Sequence, residues 1–214
     1  MPPPEDCASK ARARAAQGSA VTTPHEAVIG STGLDHRKMG VWAFLGSECM
    51  FFGSLIATYL VYKGRSLSGP TPHEILNIPL TSISTFVLLM SSLLMVLALA
   101  AVQRGDALGA RLWLFGTPFF GMIFLGFQVY EFATFVREGL TLQVNLFGAS
   151  FFVLTGFHGA HVSVGVVWLL TLWTLALRNR LTRADALIVE IAGLYWHFVD
   201  IVWIVIFTLV YLIQ

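Results

Sequence analysis

Polar residues crowd into the first 38 positions and into four short interruptions, and between them run five apolar segments. These cover residues 39–63, 80–102, 112–136, 146–177 and 186–213. Each segment reaches or exceeds the roughly 20 residues that a helix needs to cross a bilayer. The last two are longer, which predicts tilt or protrusion beyond the hydrocarbon. None is short and alternating, as barrel strands are. The pattern predicts an all-α polytopic membrane protein, a bundle of five transmembrane helices.

Composition sharpens that reading. Hydrophobic residues make up 56% of the chain and charged ones 12%, against about 25% charged in soluble domains, so no soluble fold could hide this much apolar surface. Residues 1–38 ("MPPPEDCASKARARAAQGSA" and onward) are rich in Pro, Ala, Gly and Ser and lack an apolar core segment. They read as a flexible cytoplasmic N-terminal tail and not as a signal peptide, ahead of a transmembrane domain at 39–214. Cys7 lies in the tail and Cys49 in the first segment, which argues against a structural disulfide.

Charge then orients the chain. Lys10, Arg12, Arg14, Arg37, Lys38, Arg104, Arg111, Arg178, Arg180 and Arg183 fall on one side, and Lys63, Arg65 and Arg137 on the other. This positive-inside bias places the tail in the cytoplasm and, after five crossings, Gln214 outside. The outer loops, "GRSLSGPTPHEILNIP" and "REGLTLQVN", are too short for a soluble catalytic domain. Any chemistry is therefore inside the membrane or belongs to a partner.

Few residues within the segments ionise: Glu48, Glu131, His158, His161, Glu190, His197 and Asp200. Each charged group at a helix centre costs roughly 2.5–3.5 kcal/mol on insertion scales, so such groups pair or stay neutral and mark functional candidates. Glu190, His197 and Asp200 share one face of the fifth helix by their spacing. His161 and Asp200 sit at equal depth, roughly 24 Å from the turn that joins their helices, and are expected partners. Gly46, Gly53 and Ala57 form a small-residue stripe beside Glu48 that suits a partner surface. Gly156 with Ala160 and Gly159 with Ser163 suit packing within the bundle.

Only three of the six histidines lie within segments, too few for a membrane di-metal oxygenase. The spacing of His158 and His197 does not by itself exclude a haem. Phosphate-binding loops, nucleophile elbows and basic nucleic-acid patches are absent, so no nucleic-acid partner is expected. A stand-alone proton-coupled transporter would also explain intramembrane acids, although the chain has no inverted repeat or interrupted helix pair.

Four segments carry a specific likeness: "WAFLGSECMFFGSL", "GFQVYEF", "TGFHGAHVSVG" and "YWHFVDIVWIVIF". In this order they resemble the signature segments of subunit III of haem-copper terminal oxidases (cytochrome c oxidase subunit 3), covering residues 39–214 in the five-helix bacterial form. The resemblance implies a non-redox subunit in the bacterial plasma (inner) membrane. It would pack on and stabilise catalytic subunit I of a proton-pumping cytochrome c oxidase in aerobic respiration and support proton uptake. Haem and copper would reside in partner subunits, with no cofactor in this chain beyond bound phospholipid. Subunits I and II and membrane lipids are the implied partners. Because the longer family form has two further N-terminal helices, a small additional subunit replacing them is a further implied partner. Glu48, Glu131, His158, His161, Glu190, His197 and Asp200 match the family's polar signature positions, as a buried polar network or a subunit I interface. Quinol oxidases and the accessory proteins of nitric oxide reductases also have this short form, which leaves the electron donor open.

The charge bias makes a direct prediction. Topology reporters fused after Lys38 and after Gln214 are expected in opposite compartments, cytoplasmic and external respectively. Both ends on one side would break the five-crossing topology.

Overall fold

Five helices carry the five apolar segments: α1 His36–Tyr62, α2 Ile78–Arg104, α3 Ala107–Arg137, α4 Leu146–Leu177 and α5 Ala186–Phe207. The computed structural model describes residues 35–63, 78–141 and 146–213. Of the flexible tail expected over residues 1–38, residues 1–34, with Cys7 and His25, lie outside the described residues, as do Arg65, His73 and residues 142–145 of the outer loops; residues 36–38 instead belong to the first turn of α1. The chain divides into two units, Met1–Met39 and Gly40–Gln214, and the helix packing lies in the second. Among the described residues all regular secondary structure is helical, and all five helices are long and apolar enough to cross a membrane. Cys49 is a free, exposed thiol.

Helix ends follow local chemistry, which moves some boundaries from the hydropathy pattern. At the end of α2, Asp106 N–H bonds the Ala101 carbonyl and Gly105 N–H the Val102 carbonyl, with Gly105 at φ +75°. The same paired bonds close α3 around Gly139 (φ +89°) and α4 around Asn179 (φ +53°). All three are Schellman motifs, which need a left-handed residue and so select Gly or Asn. Asp106 then caps α3, accepting from Gly109 N–H at 2.9 Å, so α3 begins at Ala107 and not at residue 112. Arg111 donates to the Ala176 carbonyl and to Asn179, and Arg183 to the Arg104 carbonyl. These guanidinium groups satisfy helix-end carbonyls and tie the two turns on this side together. Beyond Phe207 the last segment continues as a π-helical turn, Thr208–Leu212. At the same end, Lys63 Nζ donates to the Ile213 carbonyl and joins α1 to the C-terminal turn.

Helices α2, α3, α4 and α5 form a closed ring, each packed along the next and α5 back along α2. Two indoles of α5, seven residues apart, fill its centre. Trp196 and Trp203 are each about 98% or more buried. Trp196 donates its indole N–H to Ser91 Oγ of α2 at 3.0 Å, and Trp203 donates to Thr85 Oγ1 at 2.9 Å. The Trp196 ring lies against Gly121 of α3 and Gly165 of α4; a Cβ on either glycine would come within 2.7–2.8 Å of it. Both positions must lack a side chain for the indole to fit.

α1 lies outside this ring and is held by side chains: Phe52 against His158, His161 and Phe198, Phe51 against Phe157, and Tyr59 against Phe147. Its opposite face is exposed at Gly46, Gly53 and Ala57, with nothing within 4 Å of a Cβ built on either glycine. In α4 the two expected small-residue pairs divide. Gly159 receives Gln128 of α3 tightly, whereas Gly156 has open space and Ala160 and Ser163 are exposed.

These glycines are expected to respond in opposite senses. Gly165→Ala forces a methyl into the Trp196 ring and should cost about 1–3 kcal/mol. Gly46→Ala should leave the isolated chain as stable or up to about 1 kcal/mol more stable, because alanine favours the helix. Denaturant titration in detergent micelles, followed by tryptophan fluorescence, measures both.

Candidate functional site

The polar groups at membrane depth collect at separate places, and the second helix organises most of them. α2 has no ionisable residue within the membrane, yet its hydroxyls at 81, 85, 91 and 92 face inward. Thr81 Oγ1 donates to Glu131 Oε1 of α3 at 2.7 Å, and Tyr211 of the C-terminal turn also hydrogen-bonds Glu131. Ser92 Oγ pairs with His197 Nδ1 at 2.6 Å and also reaches Asp200. Thr85 and Ser91 take the two indole N–H groups described above. Each hydroxyl offers both a donor and an acceptor, so a run of Ser and Thr on one face can satisfy acids, imidazoles and indoles alike. Their spacing in the sequence was the signal for this role, and a search confined to ionisable residues passes over it.

His158 and His161, one helical turn apart on α4, point to different places. His158 is fully buried inside the ring, stacked on Trp203 at 4.9 Å and edge-on to Phe124 at 5.9 Å. Neither of its ring nitrogens has a hydrogen-bond partner among the described residues. Gln128, its neighbour in the interior, donates to the Thr155 carbonyl at 2.7 Å.

His161 instead turns outward to α1. Its Nε2 lies 3.2 Å from Glu48 Oε2, with the two side chains 19% and 17% exposed. Its Nδ1 is 2.8 Å from the Phe157 carbonyl, and the Tyr195 hydroxyl donates to the His161 carbonyl at 3.0 Å. A carbonyl only accepts, so Nδ1 carries a proton. Nε2 then faces a carboxyl oxygen, and the contact is attractive only with one proton between them, as acid to imidazole or imidazolium to carboxylate. Phe52 covers the pair on one side, its ring 5.0 Å from that of His161.

This arrangement corrects the expected partnership. His161 pairs with Glu48, while Asp200 lies on the α5 face near Ser92 with its Oδ1 unpartnered among the described residues, because helix rotation, which equal depth does not specify, sets which side chains meet. His197 and Asp200 do share a face of α5 and a partner in Ser92. Glu190 is half-buried one turn into α5. Among the described residues no three His, Cys, Asp or Glu side chains come close enough to hold a metal ion.

Sequence comparison identifies the ancestry of this arrangement. The family profile described as cytochrome c oxidase subunit III matches residues 16–214. The chain belongs to the cytochrome c oxidase subunit III family. The "Probable quinol oxidase subunit 3" of Staphylococcus saprophyticus is 41% identical over 177 residues, 82% of this chain and 88% of that protein. The "Cytochrome c oxidase subunit 3" of Bacillus sp. strain PS3 is 40% identical over 177 residues, 83% of this chain and 86% of its own. The "Quinol oxidase subunit 3" of Bacillus subtilis is 40% identical over 174 residues, 81% and 85%. Membership of a respiratory oxidase family and five helices able to span a bilayer make this a membrane protein. The family membership takes the place of a stand-alone transporter as the account of the intramembrane acids.

The pairing is open to test by a double-mutant cycle. Glu48→Ala and His161→Ala should couple by roughly 0.5–3 kcal/mol in unfolding free energy, whereas His161→Ala and Asp200→Ala, which share no partner, should add within about 0.5 kcal/mol.

Proposed function

We propose that this chain is a non-redox third subunit of a proton-pumping cytochrome c oxidase, packing on and stabilising the catalytic subunit and supporting proton uptake. The observation that carries the reading is the family match over residues 16–214. The outer face of α1 supports it. Gly46, Gly53 and Ala57 leave that face smooth enough for a neighbouring helix to approach closely, and lipid gives no hydrophobic reason to keep such a stripe bare. Glu48 stands on the same helix, paired across to α4. In this reading it communicates between the partner-facing helix and the ring, while Glu131, His158, His197 and Asp200 hold the ring's interior and Glu190 its cytoplasmic entry. Haem and copper belong to partner subunits I and II. The assembly sits in a bacterial plasma membrane with the N-terminus inside.

A quinol-oxidising complex is the second reading. Relatives named for quinol and for cytochrome c are 41% and 40% identical, a difference that separates nothing.

Purification of the tagged chain from its own membranes in mild detergent should bring haem-bearing partners with it, and the complex should oxidise reduced cytochrome c in preference to quinol. The reverse preference selects the second reading, and a chain that emerges alone sinks both. Separated from its partners, the chain should contain no stoichiometric iron or copper. In the assembled complex, Glu48→Gln is expected to preserve assembly but to slow proton uptake or shorten the active lifetime during turnover. Wild-type kinetics and lifetime would reduce Glu48 to a packing role.

A further inference from the structure

Two buried polar groups inside the helix ring lack a protein counterpart. His158 has no exposed surface, and neither of its ring nitrogens has a hydrogen-bond partner among the described residues. Gln128 Oε1 is likewise buried and unpartnered there, although Nε2 of the same amide donates to the Thr155 carbonyl at 2.7 Å. The two groups share one layer of the interior. Phe124, one turn before Gln128 on α3, holds its ring perpendicular to the imidazole at 5.9 Å. The Gln128 amide itself lies along α4 between Thr155 and Gly159, which flank His158. Gly159 makes the room for it: a Cβ there would come within 2.6 Å of Gln128 Oε1.

The surrounding side chains do not meet the imidazole's need. Trp203 stacks on its face at 4.9 Å, and Phe124 and Phe52 stand 5.9 and 6.5 Å away. Stacking covers the faces of a ring, whereas its nitrogens direct their bonds outward in the ring plane. A neutral imidazole has one N–H donor and one acceptor nitrogen. At most the π face of Phe124 takes the N–H weakly, and carbon rings donate nothing of strength to the acceptor. Nearby donors are engaged elsewhere, Thr155 Oγ1 on the Phe151 carbonyl at 2.7 Å and Trp203 Nε1 on Thr85 at 2.9 Å. A buried acceptor left in this condition forfeits the hydration it had in water.

Access and chemistry restrict what can fill the need. A side chain with no exposed surface is closed to lipid and to a neighbouring subunit. No group of three metal-ligating side chains forms around it among the described residues. His158 lies about 5 Å along the axis from the midpoint of α4 at 1.5 Å per residue. Half the hydrocarbon thickness is about 15 Å, so bulk water stops well short of it. A single resident water has the right complement. Its two O–H groups match two acceptors, the unprotonated imidazole nitrogen and Gln128 Oε1, and buried waters are held by such sets of two to four polar groups. We propose that the interior of the helix ring binds a structural water between His158 and Gln128, donating to both. His158 is then a hydrated imidazole near mid-membrane, a property that depends neither on the electron donor of the complex nor on its partner subunits.

The test is synchrotron hydroxyl-radical footprinting of the tagged full-length chain, with any co-purified partners, after equilibration in water enriched in oxygen-18. X-rays split a bound water in place and the hydroxyl adds to the side chain beside it. A residue sealed from solvent is therefore labelled only where a water stands next to it. Oxygen-18 in the product shows that the oxygen came from water and not from dissolved dioxygen. The label is expected on His158, Trp203 or Phe124. It should be missing from Trp196, which is as deeply buried but bonded to Ser91 and packed on two glycines. His158→Phe and Gln128→Met each remove one acceptor and should lose the label on Trp203 and Phe124; if one variant fails to accumulate, the other decides. No label at any of the three residues would overturn the proposal. So would equal labelling of Trp196 and Trp203, the mark of general water entry, or unchanged labelling of Trp203 and Phe124 in the variants.

Discussion

The ring of four helices depends on one buried indole. Trp196 reaches from α5 across the interior to touch three other helices: Ser91 on α2, Gly121 on α3 and Gly165 on α4. Within a bilayer, helices gain little from hiding apolar surface, so close packing and interior hydrogen bonds hold them together. A large planar side chain opposite two glycines supplies the first, and its single N–H bonded to a serine supplies the second. Trp203, one turn-pair further along, repeats the pattern with Thr85 and carries His158 stacked on its face. These contacts close α5 onto the other three helices of the ring.

Polar groups are placed by the same constraint. No water is at hand within hydrocarbon, so every acid and imidazole needs a protein partner or a stacked aromatic environment. α2 meets most of this demand with uncharged hydroxyls, which can serve as donor or acceptor without adding a charge of their own. The Glu48–His161 pair differs. It lies between the outer helix and the ring, partly exposed, and borders an open groove. It therefore combines the two properties that the interior clusters lack, access from the lipid and a shared proton.

The subunit III family gives this layout a functional setting. A helix attached mainly by aromatic side chains and one proton-sharing pair, with a bare glycine face turned outward, suits a position between the ring and a neighbouring subunit. The basic turns between α2 and α3 and between α4 and α5 are tied together by Arg111 and Arg183, so that end of the bundle is rigid.

Much of this was legible in the sequence because hydrophobicity is a local property. A run of apolar residues long enough to span the bilayer is a helix wherever it packs, since only a helix satisfies its own backbone there. The five helices, their approximate bounds, the intramembrane residues and the family segments all follow from such local pattern. Helix ends moved by a few residues where a capping residue such as Asp106 or a left-handed residue such as Asn179 took over from hydropathy. Partnership was different. Equal depth suggested His161 with Asp200, but rotation about each helix axis, set by how Trp196 seats against Gly121 and Gly165, turns His161 to Glu48 and Asp200 to Ser92. The role of the α2 hydroxyls and the division of the α4 small residues were decided in the same way. Rotation and neighbour choice are properties of the packed ring, and only the tertiary structure could decide them.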